Sequence, residues 1–277
     1  MNLVDDTLLD GLMTDMRAVA KREIMPRFHA IMSESARSKS APDDLVTDAD
    51  LCAEQALGEA LVARLPGIAL VGEEAVAEDA SILSHLRDAE LAALIDPVDG
   101  TWNFAHGIPV FGSMLALVAN GMTIAGLIHY PVTGDFVLAR VGKGAWHVAN
   151  DGSRTRLSVA ATRPIEQMAG FMALNMMPPA MQANLSPRLT RFQQVTNWRC
   201  SAFEYRLLAT GAMHFCLTAR LMPWDHAAGV LIHSEAGGHA ALLDGTPYAP
   251  TIHSGHLLLA PDVQSWERLA INLGGEY

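Results

Sequence analysis

An apolar run that stops at two carboxylates three residues apart constrains this chain more than any other feature. It reads Leu91-Ala92-Ala93-Leu94-Ile95, then Asp96-Pro97-Val98-Asp99-Gly100-Thr101-Trp102-Asn103-Phe104. The short, almost wholly apolar segment predicts a buried strand, with Asp96 at its carboxyl end where the chain leaves the sheet. Pro97 forbids a regular ladder or helix there and holds the turn open. Gly100 lets the backbone approach a ligand closely. The N–H groups of Gly100 and Thr101 stand at a predicted helix start, where an anion is at home. Two carboxylates aimed at one spot repel each other unless a cation lies between them, and oxygen-only ligands suit a hard ion such as Mg²⁺. Asp, Pro and Gly also build plain acidic surface turns, so the other segments must decide.

They repeat the pattern. Ile68 to Val71 is a second short apolar strand, ending in Gly72-Glu73-Glu74, so two neighbouring strands are expected to deliver carboxylates to one edge. Asp44, Asp48 and Asp50 precede a helix whose apolar face runs Leu51, Leu57, Leu61, Val62 and Leu65, ended by Pro66-Gly67. Capping accounts for one of those acids and leaves the others unexplained. Asp225 sits at the predicted amino terminus of an apolar helix, His226 to Ala236, where a cap is the bland explanation. The following Ala227-Ala228-Gly229 turn is so small that another element must pass close by.

Around these segments the pattern alternates. Thr7 is placed to cap a helix with apolar positions Leu8, Leu12, Met16, Val19 and Ala20, reaching Pro26. Ser33 to Asp43 is polar and aperiodic, a predicted loop whose Lys39 could close over a site. Ala77 to Ala93 predicts a helix carrying Ile82, Leu83 and Leu86. Val110 to Val148 predicts an antiparallel meander with turns at Asn120-Gly121, Thr133-Gly134-Asp135 and Gly142-Lys143-Gly144. Asn150-Asp151-Gly152 marks the expected boundary between a first half, about 1–150, and a second, about 151–277, of one domain. In the second half, strands at Ala169 to Leu174 and Val195 to Trp198 flank a predicted helix containing Pro187 to Gln194. A helix from Ser201 to Thr210, strands at His239 to Leu243 and Leu257 to Ala260, and a closing helix from Asp262 to Leu273 complete an α/β alternation.

Composition removes several function classes. With 277 residues, 50% of them hydrophobic and 18% charged, the chain can bury one large core or two modest ones. A net charge of −11 and the lack of a basic run argue against nucleic acid as partner, and would repel anionic substrates unless bound cations reversed the sign locally. Cys52, Cys200 and Cys216 form neither a disulfide framework nor a zinc knuckle, which points to a reducing cytoplasm. The most apolar window, Ser113 to Ile128, is broken by Asn120-Gly121 and Thr123, so no membrane span is expected. The eleven histidines lack ligand spacing, and only His226, next to Asp225, stands out. The fourteen methionines read as core filling.

Taken together, Leu45-Val46-Thr47 with Asp50, Gly72-Glu73-Glu74, Asp96-Pro97-Val98-Asp99-Gly100-Thr101 and Trp224-Asp225-x-Ala227-Ala228-Gly229 resemble the inositol monophosphatase family in order, spacing and type. The resemblance covers nearly the whole chain. It implies a Mg²⁺-dependent, Li⁺-sensitive phosphomonoesterase, usually a homodimer, with an α+β fold layered as an α/β/α/β/α sandwich. Carried onto this sequence, it implies that Glu73, Asp96 and the Val98 carbonyl hold a first Mg²⁺. Asp96, Asp99 and Asp225 would hold a second. Thr101 and Asp50 would then contact a water that, with Glu73, is deprotonated, while the Gly100 and Thr101 N–H groups hold the phosphate. Metal-assisted hydrolysis needs just such a set.

Departures from the family concentrate where the leaving group would lie. Members that hydrolyse inositol phosphate carry an acid seven residues before the aspartate of the W-D motif; here that position is Thr218, with Arg220 close by. Their small G-S-A stretch is Arg199-Cys200-Ser201 here, followed by Glu204 and Arg206. An acid accepts hydrogen bonds from sugar hydroxyls, whereas Thr218 and Arg220 favour a substrate with acceptors or a second negative group. The expected substrate is therefore a small phosphorylated metabolite: inositol 1-phosphate or another polyol phosphate, or, by the same chemistry, histidinol phosphate, a 3′-phosphonucleotide or another sugar phosphate. A regulatory protein that merely kept the fold would not need four carboxylates held together at an electrostatic cost.

Overall fold

The computed structural model describes residues 4–30, 37–38, 45–46 and 48–274. Lys39, Asp44 and Thr47 lie outside the described residues. Within the segment expected to be a loop, Arg37–Ser38 (β1) pairs antiparallel with Leu45–Val46 (β2).

Asp6–Val19 (α1) forms where the 3.6-residue periodicity places a helix, but its N-cap is Asp5 and not Thr7. The Asp5 carboxylate accepts the Leu8 N–H at 2.8 Å, an N–H that precedes those a cap at Thr7 could serve. Nor does the helix stop at Pro26. A π-helical turn, Ala20–Ile24, leads into Met25–His29 (α2), whose second residue is Pro26. Asp48–Arg64 (α3) leads to Ala69–Gly72 (β3) and then to Glu73–Glu78 (α4).

The helix expected over Ala77 to Ala93 is instead three pieces. Asp79 is extended and its side chain accepts the Ser81 N–H, which ends α4 and starts a 3₁₀ turn, Ala80–Ser84, before His85–Asp88 (α5). By Leu91 the chain is already strand. Leu91–Asp99 (β4) also outruns its expected end at Ile95. A register shift against the next strand between Asp96 and Asp99 makes the irregularity in which Pro97 is tolerated.

After Thr101–Ala105 (α6) the expected meander appears as Gly112–Ala119 (β5), Met122–Tyr130 (β6), Asp135–Arg140 (β7) and Ala145–Val148 (β8). The strands turn at the predicted glycines. Arg154–Arg156 (β9) pairs with β8 beyond the boundary expected at Asn150–Gly152, so the first sheet continues to Arg156. That sheet has seven strands in the order β3-β4-β5-β6-β7-β8-β9.

The second sheet holds five strands. They are Ala169–Met172 (β10), Gln194–Thr196 (β11), Phe215–Thr218 (β12), His239–Leu242 (β13) and Leu257–Ala260 (β14), in the order β11-β10-β12-β14-β13. Between them run Pro179–Leu185 (α7), Ser201–Ala209 (α8) and Pro223–Glu235 (α9), with Val263–Gly274 (α10) closing the chain. The helix expected around Pro187 to Gln194 is corrected. The α-helix is α7, ending before Pro187; a 3₁₀ turn covers Ser186–Arg191, and Gln194 is already in β11.

Three apolar clusters stack these elements into five layers. Leu9, Leu12 and Met16 of α1 and Leu57 and Leu61 of α3 pack on one face of the first sheet, against Ile95, Leu117 and Phe136. The alternate residues Leu94, Met114 and Ile128 face α8 and α9, which in turn meet Phe171 and Leu259 of the second sheet. Beyond it, Phe215 and Leu258 pack against Met181 of α7 and Leu269 of α10. The result is the α/β/α/β/α sandwich. The small turn after Asp225 is explained by this packing: a Cβ on Gly126 would lie 2.7 Å from the Ala228 backbone, and one on Gly229 would lie 2.1 Å from the Tyr205 ring. Among the described residues no helix is long and apolar enough to cross a membrane.

Candidate active site

Parallel pairing of β3 with β4 sets Gly72 opposite Ile95, so the residues that follow are neighbours: Glu73 where β3 ends, and Asp96, which is still paired with Met114 in β4. Glu73 opens α4, whose start is pinned from α3: the Glu54 carboxylate accepts the N–H groups of Glu74 and Ala75 at 2.8 and 2.9 Å. A side chain on Gly72 would collide with that carboxylate at 2.2 Å, which explains the glycine. Asp225 arrives from α9, whose N-cap is Met222 and which begins at Pro223, three residues earlier than the apolar pattern indicates. Capping therefore does not account for Asp225. One carboxylate oxygen each from Glu73, Asp96 and Asp225 lie within 4.8 Å of one another, a group able to hold a metal ion.

Asp96 is 1% exposed, and its Oδ1 is buried without a hydrogen-bond partner. Its pKa is raised well above the usual carboxylate range, first by burial and then by the negative charges of Glu73, Asp99, Asp225 and Asp50. A buried carboxylate with a bare oxygen among four others is stable as an anion only with a cation beside it. The donor set, all oxygen, fits Mg²⁺. Asp50, in the first turn of α3 and also 1% exposed, acts on Asp96 through its charge and is not among the residues that line the cavity.

Asp99 has a second task that its motif does not announce. Its Oδ2 accepts the Ala202 N–H at 2.5 Å and lies 3.1 Å from the Cys200 Sγ, so it serves the amino terminus of α8 from another element. Burial raises its pKa, while these donors and the N–H groups of Ser201 and Gly100 pull it back in part. Gly100 takes φ +89°, and a Cβ there would sit 2.9 Å from the Val110 carbonyl and 3.1 Å from the Cys200 side chain. Only glycine fits. The Thr101 hydroxyl donates to the fully buried Val98 carbonyl at 3.0 Å, which brings those two expected site groups together.

These residues open onto one cavity of about 350 Å³. Glu73, Asp96, Asp99, Gly100, Thr101 and Asp225 line it, and so do the expected specificity residues Arg199, Glu204, Thr218 and Arg220. The Glu204 carboxyl is pushed up to about 8, chiefly by burial, although the Trp198 N–H donates to Oε1 at 3.0 Å. Arg199 holds φ +54° and lays its guanidinium 4.3 Å over the Trp102 ring. His226 is structural: its Nε2–H donates to the Arg220 carbonyl at 2.7 Å, and its Nδ1 meets the Tyr205 hydroxyl at 3.0 Å. Burial lowers its pKa to about 4, so the ring is neutral.

Sequence reasoning missed Glu54 and Asn103. Glu54 lies four residues after Asp50, on the same face of α3, which was a readable signal. The Asn103 amide bridges the Val110 and Trp198 carbonyls at 2.9 Å each, a contact across 95 residues that no local pattern carries.

A five-layer sandwich in which two adjacent strands and a helix start bring carboxylates together on one cavity defines a protein with a candidate metal site. The sequence profile of the Inositol monophosphatase family matches residues 6–271, and the chain belongs to that family. It is 30% identical over 257 residues to the inositol-1-monophosphatase of Bacillus subtilis (strain 168), covering 89% of this chain and 92% of the relative. A histidinol-phosphatase from Chlorobaculum parvum is 29% identical over 196 residues, 71% of each chain. In fold, the chain is similar to the Thermotoga maritima IMPase, with a TM-score of 0.80 and 23% identity over 97% of both chains. The protein is a phosphoric monoester hydrolase acting on a small phosphorylated substrate.

Proposed function

We propose that the chain is a Mg²⁺-dependent phosphatase of a small metabolite monoester, with Glu73, Asp96, the Val98 carbonyl, Asp99 and Asp225 as its ligand set. The observation that carries this reading is the buried Asp96, whose Oδ1 has no hydrogen-bond partner and whose carboxylate lies among those of Glu73 and Asp225. Mg²⁺ bound there supplies activation of water near neutral pH and neutralises the charge on the leaving oxygen. The Glu73 carboxylate would take up the proton of the attacking water, with the Thr101 hydroxyl orienting it, while Asp50, which the sequence also places on that water, acts through its charge on Asp96. Gly100 and Thr101 offer backbone N–H groups to the phosphate. Asp99, held by Ala202 through Oδ2, presents its second oxygen in a fixed direction.

Thr218 and Arg220 on the cavity wall support a leaving group other than inositol, so myo-inositol 1-phosphate is a mediocre substrate. The three free cysteines fit a reducing cytoplasm, and a homodimer is the expected working form. Phosphate release measured across a panel of esters, with Mg²⁺, with EDTA and with added Li⁺, tests the reading. Mg²⁺-dependent turnover that Li⁺ inhibits supports it; turnover unaffected by EDTA contradicts it.

A further inference from the structure

A second cavity, of about 290 Å³, lies at the far edge of the first sheet, between the start of α1 and strands β7, β8 and β9, and shares no lining residue with the first. Leu9 and Leu138, each 2% exposed, give it an apolar side, and the half-buried Trp146 adds a flat one. Arg140, Lys143 and Arg154 also line it, against a single acid, Asp6. Such an excess of cations is unexpected in a chain of net charge −11.

Much of the hydrogen-bonding capacity of these cations is unspent. Arg140 donates to the Val4 carbonyl through Nη1 and reaches Asp6 through Nη2 only at 3.5 Å, while its Nε is buried without a partner. Arg154 gives one nitrogen to Asp10, and the exposed Lys143 ammonium makes no hydrogen bond or ion pair among the described residues. The Asp6 and Asp10 side chains are 71% and 60% exposed, so these pairs are weak and leave the positive charge largely in force. A buried charged donor without an acceptor carries a desolvation cost that an incoming anion removes. The wall is also held in place beforehand. The Gly142 and Gly144 N–H groups donate to the two oxygens of Glu235 at 2.7 Å each, which fixes the turn that carries Lys143, and the Trp146 Nε1–H donates to the Lys143 carbonyl at 3.0 Å. Arg156 adds to the field, with its guanidinium 3.1 Å from where a Gly144 side chain would begin.

We infer that this cavity is a binding site for a small organic anion, a single phosphate, phosphonate or carboxylate group on a flat apolar body. The anion goes to Arg140, Lys143 and Arg154 as charge-assisted acceptor, and the body lies on Trp146 beside Leu9 and Leu138. The volume is at the small end for ligand sites, which suits one ring and one anionic group. With Asp6 as its one acid, the lining cannot assemble a metal cluster like that of the first cavity, so the ligand is held here and not hydrolysed. The inference does not depend on the phosphatase reading.

Isothermal titration calorimetry of the full chain in EDTA tests it, because without metal the carboxylates of the first cavity repel anions. The probes are phenylphosphonate and benzoate, which join an anion to a ring and contain no ester to cleave, with methylphosphonate as the anion alone and benzyl alcohol as the ring alone. The expected result is binding of phenylphosphonate, benzoate or both at one site per chain, with each half-probe at least about tenfold weaker. The tighter of the two ring-bearing probes identifies the anion the site prefers. Lys143→Ala combined with Arg154→Ala should weaken that binding about tenfold. Asp6→Asn, which removes the competing acid, should tighten it about threefold, a change that damage to the fold would not produce. Added salt should weaken it in the unsubstituted protein. Failure of both ring-bearing probes to bind, or an affinity that neither the double substitution nor Asp6→Asn moves, overturns the inference and leaves the phosphatase reading untouched.

Discussion

Replacing Asp96 with Asn keeps the volume of the side chain and removes its charge, and the structure fixes the sign of the effect. In metal-free protein the native carboxylate is buried, its Oδ1 lacks a partner, and four other acids raise its pKa. An amide in its place donates to the neighbouring carboxylates of Glu73 and Asp225 instead of repelling them. Relief of one unsatisfied buried group is worth about 1–3 kcal/mol. For a chain of this length a kilocalorie moves Tm by about 2 °C or somewhat more, so metal-free Asp96→Asn should melt about 2–6 °C above the native protein. Metal works in the opposite direction and closes or reverses that gap. At a Mg²⁺ concentration about 100 times its Kd the native fold gains about 2.7 kcal/mol, a rise of about 5 °C, while the variant gains little. The pH dependence follows the same logic. Because the folded pKa of Asp96 is raised above 3.8, the unfolded state ionises first as pH rises, so metal-free native protein loses stability from about pH 4 upward. Asp96→Asn flattens that slope. Differential scanning fluorimetry with EDTA and with Mg²⁺ reads all of this. A variant that melts lower than the native protein in EDTA and keeps its Mg²⁺ shift would refute the reasoning.

Two further substitutions probe the supports of the site. Glu54→Ala removes the acceptor of two backbone N–H groups at the start of α4. It should cost about 1–2 kcal/mol of stability and raise the Mg²⁺ concentration for half-maximal activity, since Glu73 loses its anchor. An unchanged metal titration would count against that role. Glu204→Gln imitates the neutral acid that burial favours up to about pH 8. Between its ordinary value of 4.5 and about 8 the unfolded carboxyl is ionised and the folded one is not, so native stability falls as pH rises through that window and levels off above it. The Gln variant should lose this part of the slope in urea titrations; identical slopes for both proteins would contradict the assignment.

Much of the acid set was legible because each member stands where a strongly patterned segment ends. Glu73 and Asp96 follow apolar runs whose β character is plain, and their convergence needed only that the two strands be neighbours, which the Gly72–Ile95 register provides. Other features were hidden for physical reasons. The break of the Ala77 to Ala93 segment depends on one extended residue, Asp79, in a stretch whose apolar spacing suits a helix equally well. Asp99 reads as a metal ligand in its motif, and its bond to Ala202 lies 103 residues away. Arg199 shows no local sign of a left-handed backbone, since neither Gly nor Asn marks the position.

The central claim is that Glu73, Asp96 and Asp225 hold a divalent cation. Crystals soaked in Mn²⁺, measured for anomalous scattering at the manganese edge, test it most directly. The account predicts a peak within about 2.0–2.6 Å of carboxylate oxygens of these three residues. A well-ordered site with all three side chains in place and no anomalous density between them would contradict it.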